Sequence, residues 1–443
     1  MKILFITQYF APETEIGGIR ILEIASRLRE MGHEITVLTG LPNYPNGKLF
    51  DGYRRKAWRG TWTENINGLA VTRVPLFPSH DKKSIPRLLN YFSFLFFSSL
   101  RSLFMKRPDV VVCTSPPLTI GLTAWFAANR FRVPFLLEIR DLWPEAAIEL
   151  GYLTNPWVRR LAYALESFLY SRAAKIISVS EGMRADLLKR AIPASRCEVI
   201  CNGVDVQLFA PANSESPANE VVAGLRREGN VVGVYLGTIS AYHGVDCMLD
   251  LLEKLNIEPR IKMVFAAGGS ARDELEREAA NRNLTNAVFL PAPPRKEMPS
   301  VISAADFCLA FVKPGPFSRW LLSSKVFMYM SCGRPVFAAA VGETARVVQE
   351  AEAGIVEDAT AEGIERLAQS IARVGRGLEI ERMGTNGRRY AEHYCSWDSL
   401  AASYARVLQS VRPPRSGSRQ ILQPAQSTTA HSASSAAKRN QVL

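Results

Sequence analysis

The stretch KILFITQYFAPETEIGGIRILEIASRLREMGHEITVLTG, residues 2–40, determines the fold class of this chain. It begins with an apolar run over residues 2–7, continues with apolar side chains at helical spacing over 19–31, and alternates again over 34–39. Gly32 and His33 stand where the helix should end. A strand, a helix and a second strand in this order predict two parallel strands joined by a helical crossover.

The same alternation continues along the rest of the chain. Short apolar runs alternate with helical patterns up to about residue 205, and a second series begins at residue 231. This pattern predicts an α/β protein with two doubly wound, Rossmann-like domains that face each other across a cleft. The predicted parts are an N-terminal domain (1–205), a linker rich in Pro, Asn, Ser and Glu (206–230), a C-terminal domain (231–392), a crossing helix (393–411) and a disordered tail (412–443).

The charge of the chain is uneven. The net charge is +12 over 443 residues, and residues 1–205 contain 27 basic against 18 acidic side chains. We therefore expect an anionic partner for the first half: nucleic acid, anionic lipid or a phosphorylated small molecule. No nucleic-acid-binding motif is visible, so we expect no nucleic acid. The longest uncharged apolar run, 88–100, is shorter than the roughly 20 residues of a spanning helix, so we expect no transmembrane segment.

Two glycine turns stand where a doubly wound domain binds its ligand. Gly17-Gly18 lies between the first strand and the first helix, and Gly237-Thr238 follows the first strand of the second domain, with His243 before the next helix. Backbone amides at a helix start bind phosphate well. A plain tight turn at Gly17-Gly18, and a capping or solvent-exposed role for His243, are equally compatible with the sequence.

A charged run follows the strand at 134–138 directly. Its residues, Glu138-Ile-Arg140-Asp141-Leu-Trp-Pro-Glu145, lie at the predicted cleft edge, and such polar groups are costly to bury without a purpose. The alternative interpretation is an ion-pair loop formed by Arg140 and Asp141.

Taken together, these motifs resemble those of the retaining glycosyltransferases of family 4, which have the GT-B fold. The likeness is strongest to bacterial enzymes of O-antigen and colanic-acid assembly, and it covers roughly residues 1–410. The motifs that carry it are Gly17-Gly18 with Gly32-His33, the 140–145 segment, Ser178-Val179-Ser180, Asn202-Gly203-Val204-Asp205, Gly237-Thr238, Ser324-Lys325, Cys332-Gly333-Arg334-Pro335-Val336 and Gly342-Glu343.

The resemblance implies a hexosyl- or N-acetylhexosaminyl-transferase with a nucleotide-sugar donor held mainly by the second domain. The implied catalytic residues are Asp141 and Arg140. The implied donor-binding residues are Gly17, Gly18, Gly237, Thr238, His243, Lys325, Met328 and Glu343. The chain contains no Asp-x-Asp motif. That agrees with a metal-independent reaction in which cations and amide dipoles stabilise the leaving diphosphate, and we expect no cofactor.

One departure from the family concerns two glutamates that usually stand eight residues apart. Here the two positions hold Trp320 and Met328, and no acidic residue lies between Asp306 and Glu343. The second glutamate normally binds the ribose of the nucleotide, and methionine cannot replace its hydrogen bonds. This departure motivates one alternative, a non-catalytic scaffold of an assembly complex. A sugar-nucleotide 2-epimerase, from another class, is a second alternative because it shares the two-domain architecture.

Aromatic and basic residues mix in two segments of the first half, which is typical of an interfacial surface. The implied acceptor is a saccharide on a polyprenyl diphosphate. The implied location of the enzyme is the cytoplasm, with peripheral attachment to the inner face of the plasma membrane. The residues predicted to face acceptor or membrane are Arg54, Arg55, Trp58, Phe94, Phe96 and Phe97. The alternative is that 88–100 is a core helix with solvated charges at its ends.

Overall fold

The computed structural model describes residues 1–13, 15–54, 60–79, 84–149, 151–212, 217–240, 243–373 and 377–411. Two of the predicted membrane residues, Arg55 and Trp58, and the predicted disordered tail lie outside the described residues.

The first half of the chain forms a sheet whose strands are parallel except for the edge strand β3. The strands are β1 (Lys2–Ile6), β2 (Glu34–Gly40), β3 (Trp62–Ile66), β4 (Leu69–Val74), β5 (Val110–Ser115), β6 (Phe135–Ile139), β7 (Lys175–Ser178) and β8 (Cys197–Val199), in the order β3-β4-β2-β1-β5-β6-β7-β8. The helices are α1 (Ile16–Glu30), α2 (Ser84–Ser102), α3 (Ile120–Phe131), α4 (Glu145–Glu149), α5 (Pro156–Arg172) and α6 (Glu181–Lys189).

The second half forms a sheet that is parallel throughout, in the order β11-β10-β9-β12-β13-β14. Its strands are β9 (Val231–Thr238), β10 (Ile261–Gly268), β11 (Ala287–Leu290), β12 (Phe307–Phe311), β13 (Val336–Ala339) and β14 (Gly354–Glu357). The helices are α7 (Pro217–Arg227), α8 (Val245–Leu255), α9 (Arg272–Asn281), α10 (Met298–Ala304), α11 (Ser324–Ser331), α12 (Glu343–Glu350), α13 (Ala361–Arg373), α14 (Leu378–Tyr390) and α15 (Trp397–Ser410). The α/β prediction with two parallel-sheet, Rossmann-like domains is confirmed.

Each sheet reverses its strand order at its first strand. β1 lies between β2 and β5, and β9 lies between β10 and β12. In open parallel sheets, ligands bind beyond the carboxyl ends of the strands at such a reversal. The fold therefore places one candidate site after β1 and a second after β9.

The segment predicted as a linker contains a helix of the second domain. Helix α7 lies within 206–230, and its Val222 is fully buried in the core between the second sheet and its helices. Arg226 forms an ion pair of 2.8 Å with Asp306 at the start of β12. Polar composition suggested a linker here, but one apolar helix face is enough to pack this segment onto the domain.

The C-terminal helix returns to the first domain. Trp397, at the start of α15, is buried so closely against Gly203 that a Cβ there would lie 2.4 Å from its ring. Asp398 accepts a 2.6 Å hydrogen bond from Arg27 of α1. The last helix therefore links the two halves by packing on α1.

Phe94 was predicted to face the membrane, and the structure shows that this is wrong. Its side chain is fully buried in the first domain's core, beside Leu38, Val74 and Leu76. Phe97 is partly buried against the same core, whereas Phe96 is 63% exposed. Phe94 and Phe96 differ in burial because residues two apart in sequence lie on nearly opposite sides of a helix.

Replacing Phe94 by Ala should therefore destabilise the protein by about 3–5 kcal/mol, since the cavity it leaves lies in a packed core. Phe96→Ala, on the same helix, should change the free energy of unfolding by less than about 0.5 kcal/mol. Urea denaturation of both variants measures the difference. Equal effects of the two substitutions would contradict the packing of α2 described above.

Candidate functional site

Arg140 anchors the part of the site that lies in the first domain. It follows β6 directly, and its Nη1 donates a 2.9 Å bond to Glu15 while its Nε donates a 3.1 Å bond to Thr114 at the end of β5. A Cβ on Gly17 would lie 2.2 Å from the guanidinium carbon. Glycine at this position thus makes room for Arg140, and no side chain could replace it without moving the arginine.

Glu15, which the sequence analysis did not single out, occupies the amino end of α1. Its carboxylate accepts a 2.9 Å hydrogen bond from the amide of Gly18. Burial raises the pKa of Glu15, but the Arg140 guanidinium and the amides of Gly17 and Gly18 outweigh burial and keep that pKa below its usual value. The amides predicted to approach a donor phosphate or the acceptor thus bind this chain's own carboxylate.

Asp141 lies beside Arg140 but does not form its ion pair. Arg140 pairs with Glu15 instead, so the alternative interpretation of an Arg140–Asp141 pair does not describe the loop. Burial raises the pKa of Asp141, only partly offset by the charge of Arg140. Asp141 is therefore a carboxyl group with a high proton affinity at the carboxyl end of β6.

The two glutamates of the same run have structural partners. Glu138 is fully buried and accepts a 3.1 Å bond from Arg20 of α1, which is also fully buried. Glu145 forms an ion pair with Arg190 at the end of α6. The run thus contains two kinds of residue. Glu138 and Glu145 stabilise the fold, and Arg140 and Asp141 lie at the cleft.

In the second domain, the turn after β9 has the geometry of an anion site. Gly237 has a φ of +110° and Gly244, just before α8, a φ of +68°, values that favour glycine. His243 accepts a 3.0 Å hydrogen bond from the amide of Ser240 at Nδ1, so its proton is on Nε2. Burial and then the charge of Lys325 lower the pKa of His243 to about 3. His243 is a neutral hydrogen-bond donor, not a cation.

Lys325, on α11, lies at the same turn. Its Nζ donates to the hydroxyl of Tyr235 and lies 3.9 Å from the centre of that ring, with the carbonyl of Thr238 at 3.4 Å. Burial lowers the pKa of Lys325 to about 7. The structure therefore brings together three residues predicted from sequence, Thr238, His243 and Lys325.

Met328 and Glu343 have surroundings that the sequence did not indicate. Met328 is partly buried against the second domain's core, one turn after Lys325. Glu343 is buried, pairs with Arg346 at 3.1 Å, and accepts a 3.1 Å bond from the amide of Glu181 at the start of α6. Its carboxylate thus joins the two domains. A direct contact of Glu343 with the donor stays a prediction.

Trp320 makes the second contact between the domains. It is 3% exposed and packs into the apolar core of the first domain. Its carbonyl accepts a 2.9 Å bond from Ser180 Oγ, and a Cβ on Gly182 would lie 2.1 Å from the carbonyl of Arg319. Trp320, at a position that usually holds a glutamate in family 4, therefore packs the second domain against the first in this protein.

The two clusters stay separate. Among the described residues, no hydrogen bond or ion pair joins the Arg140 cluster to the Lys325 cluster. Nor does any group of three or more His, Cys, Asp or Glu side chains in that part of the chain have the arrangement to hold a metal ion. Sequence reasoning missed Glu15 because its partner is 125 residues away. The one sequence signal for it was its place just before the Gly17-Gly18 turn.

Two tandem doubly wound domains, each with its strand order reversed at its first strand, form the GT-B fold. Family models agree: a glycosyl transferase 4-like domain matches residues 17–203, and a glycosyl transferases group 1 domain matches 230–375. The chain belongs to the family 4 glycosyltransferases with the GT-B fold.

Similar proteins cover nearly the whole chain. WcaI of Escherichia coli K12, named as a colanic acid biosynthesis glycosyl transferase, is 24% identical over 88% of this chain and 96% of its own length. A D-inositol 3-phosphate glycosyltransferase of Mycolicibacterium smegmatis is 29% identical over 66% of each chain. The structure of Anabaena HepE in complex with UDP and glucose has a TM-score of 0.64 at 17% identity, covering 93% of this chain and 100% of HepE. WaaG, a glycosyltransferase of lipopolysaccharide biosynthesis, has a TM-score of 0.62 at 16% identity, covering 91% and 99%. These structural similarities show the shared fold.

A diphosphate bound beside Lys325 should raise the pKa of that amine from about 7, because it favours the charged form. Binding should then take up a proton, and affinity should fall as the pH rises from 7 to 9. Calorimetry with UDP in buffers of different ionisation enthalpy measures the uptake. Lys325→Gln should bind more weakly, with no such pH dependence. Wild-type affinity that stays constant from pH 7 to 9 without proton uptake would contradict this.

Proposed function

We propose that this protein transfers a hexosyl or N-acetylhexosaminyl group from a nucleotide sugar to a saccharide on a polyprenyl diphosphate, in the synthesis of a bacterial surface polysaccharide. The observation that carries the proposal is a pair of clusters. Arg140-Asp141 at the end of β6 is bonded to Glu15 at the start of α1, and Lys325 with His243 lies at the turn after β9. The names of WcaI and WbjE, and the UDP and UDP-glucose complexes of HepE, support it.

The second-domain cluster suits the diphosphate of a nucleotide-sugar donor. Lys325 offers a positive charge, His243 offers Nε2–H, and the amino end of α8 after Gly244 offers backbone amides and a positive dipole end. These groups are fixed before the substrate arrives, so they stabilise charge that develops on the leaving diphosphate without reorganisation. The proposed reaction therefore proceeds without a metal ion and, by resemblance to the family, with retention at the anomeric carbon.

The first-domain cluster suits the acceptor hydroxyl. Asp141 has a raised pKa and can accept a hydrogen bond or proton from a hydroxyl group, and Arg140 holds a positive charge beside it. Because Glu15 already neutralises Arg140, the pair leaves Asp141 as the group available to a substrate. We assign Asp141 as the catalytic residue of the acceptor side and Arg140 as its neighbour in the cluster.

Helix α2 supports a membrane-bound acceptor because its exposed side is apolar although its buried side includes polar residues. Its buried side includes polar residues with partners inside the domain: Asn90 donates a 2.7 Å bond to the carbonyl of Phe77, and Ser98 lies 2.9 Å from the hydroxyl of Thr123. Its exposed side is apolar. The exposed apolar residues are Ile85, Leu88, Leu89, Phe92, Phe96 and Leu100.

Neighbouring helices extend this apolar face. On α5, Trp157 is 77% and Leu161 is 70% exposed. Helices α2, α3 and α5 contain six arginines and one acidic residue, Glu166, which is buried against Arg190. An apolar face with a basic border fits the surface of an anionic bilayer. Arg54, exposed in the loop before β3, lies 3.9 Å from the carboxylate of Asp51, which offsets its charge.

None of the helices in the described ranges has both the length and the apolarity needed to cross a bilayer. We propose peripheral attachment through α2 and α5 to the cytoplasmic face of the plasma membrane. Because half-buried Phe97 packs on the core, Phe96 is the predicted phenylalanine with which α2 would contact lipid.

A non-catalytic scaffold remains the second candidate, because Trp320 and Met328 stand at the two positions that usually hold glutamates. The two functions differ in one respect that is directly measurable. An enzyme consumes its nucleotide sugar, and a scaffold does not.

Purified protein should therefore transfer radiolabelled sugar from a nucleotide sugar into a polyprenyl-linked fraction, and Asp141→Asn should lower turnover about 100-fold or more if the carboxylate assists the acceptor hydroxyl. Wild-type turnover should fall on the acid side at a pH above the usual aspartate range, because the active carboxylate becomes protonated there. Asp273→Asn, fully exposed on α9, is the control and should retain wild-type turnover. Wild-type activity in folded Asp141→Asn protein would exclude the assigned role, and no donor consumption with any nucleotide sugar would favour the scaffold.

Phe96→Ser together with Leu100→Ser should release the protein from vesicles that contain phosphatidylglycerol, because both side chains belong to the exposed apolar face of α2. The control replaces two still more exposed apolar residues of the second domain, Ile257 and Leu378, by Ser. Vesicle flotation measures both, and high salt should weaken wild-type binding only in part, since salt screens the charges alone. If the two double variants float equally, α2 is not the docking helix.

A further inference from the structure

Arg87, in the first turn of α2, is a partly buried cation surrounded by tyrosines. Its Nε donates a 2.9 Å hydrogen bond to the hydroxyl of Tyr91, and its guanidinium lies 5.9 Å from the centre of the Tyr91 ring and 5.2 Å from that of Tyr152. In the part of the chain that the structure describes, no carboxylate lies within ion-pair distance of Arg87, and its two Nη groups have no hydrogen-bond partner.

Three arginines of this domain whose side chains are 0–12% exposed have an acidic partner. Arg20 pairs with Glu138, Arg73 with Glu64, and Arg140 with Glu15. A cation withdrawn from water without a counter-charge is unfavourable. The arginine fork also matches a phosphate group, which it binds through two parallel hydrogen bonds. With Nε held by Tyr91, the free Nη groups of Arg87 are therefore suited to an anionic ligand.

The position of Arg87 relates this ligand to the catalytic cluster. Tyr9 follows β1, and its ring lies 5.7 Å from that of Tyr44. Burial raises the pKa of Tyr9, and its hydroxyl is near enough to Tyr91, Glu15 and Arg87 for all three to act on it. Tyr9 is thus close to both Arg87 and Glu15.

On its other side, Arg87 borders the apolar face of α2. The next two residues along the helix, Leu88 and Leu89, are exposed members of that face. A ligand that contacts Arg87 therefore has the apolar face of α2 beside it and Tyr9, which is close to Glu15 of the Arg140 cluster, nearby. An amphiphile with an apolar chain, a phosphate and a sugar in this order matches the three regions.

We propose that Arg87, Tyr91 and Tyr152 bind the diphosphate of the lipid-linked acceptor. Arg87 supplies the charge through its Nη groups, Tyr91 orients the guanidinium, and Tyr152 covers its face. The site places the sugar of the acceptor toward Asp141 and its polyprenyl chain along α2. This inference rests on the proposed function and specifies where that function's acceptor is held.

The phosphate at Arg87 could belong to the acceptor or to any anionic headgroup, and vesicle composition separates the two. One set of phosphatidylcholine vesicles contains a polyprenyl diphosphate, and the other contains phosphatidylglycerol at equal surface charge. Arg87→Gln should weaken binding to the first set at least about tenfold, since charge-assisted bonds are lost, and to the second less than about twofold. Arg107→Gln, an exposed arginine just after α2, is the control and should affect both sets equally and slightly.

Equal weakening on both vesicle sets by Arg87→Gln would assign Arg87 to general headgroup attraction, and unchanged binding to both would remove it from any phosphate site. Either result overturns the inference. Thermal unfolding of the variant excludes a folding defect. If Arg87→Gln does not fold, Tyr91→Phe decides by the same comparison, because it removes the hydroxyl that orients the guanidinium.

Steady-state kinetics provide a readout that a structural role would not change. Arg87→Gln should raise the KM for the polyprenyl-linked acceptor at least about tenfold, while the KM for the donor stays within about twofold, because only one substrate contacts the site. A matching change in the donor KM would contradict a diphosphate site for the acceptor. Failure of the proposed function itself appears differently, as wild-type protein that transfers no sugar to any polyprenyl-linked acceptor.

Discussion

Two ion pairs tie helix α1 to strand β6 across the intervening strand β5, and the rest of the site depends on them. Arg20–Glu138 is fully buried, and Glu15–Arg140 lies at the cleft edge, one turn nearer the start of the helix. Arg20 also donates to the carbonyls of Ile200 and Cys201, where the chain leaves the first domain. Removing one partner of such a buried pair leaves an unpaired charge, so the pairs define one position of α1. The amino end of α1 and Asp141 are thereby held beside each other.

A second set of contacts sets how the domains face each other. Ser180, Glu181 and Gly182 at the start of α6 meet Trp320 and Glu343 of the second domain, and α15 packs back on α1. The helix end that accepts Glu343 is again an amino end, where a carboxylate is favoured. The chain therefore uses acidic groups at two helix starts, once within a domain at Glu15 and once between domains at Glu343.

Helix α2 shows why hydrophobicity alone does not locate the core. Its buried side includes Asn90 and Ser98, each with a hydrogen-bond partner, so that polarity inside the domain is satisfied. The apolar residues Phe92 and Phe96 are left outside. Removing apolar side chains from water is favourable, and a contiguous exposed apolar face of this kind is typical of an interaction surface. Arg87 stands at the border between this face and the cleft.

The sequence by itself determined the alternation of strands and helices, the two parallel sheets, and the ends of β1, β6 and β9 as the places of the site, because these depend on local periodicity and on short motifs. It also predicted Asp141, Thr238 and His243 near those strand ends and Lys325 at the start of a later helix. Tertiary structure decided which partner each residue meets: Glu15 for Arg140, and the backbone amide of Glu181 for Glu343, lie more than 100 residues away in the chain. It also decided that Phe94 is core and that α7 belongs to the second domain. Pairing and burial arise from contacts between distant segments, which no local pattern encodes.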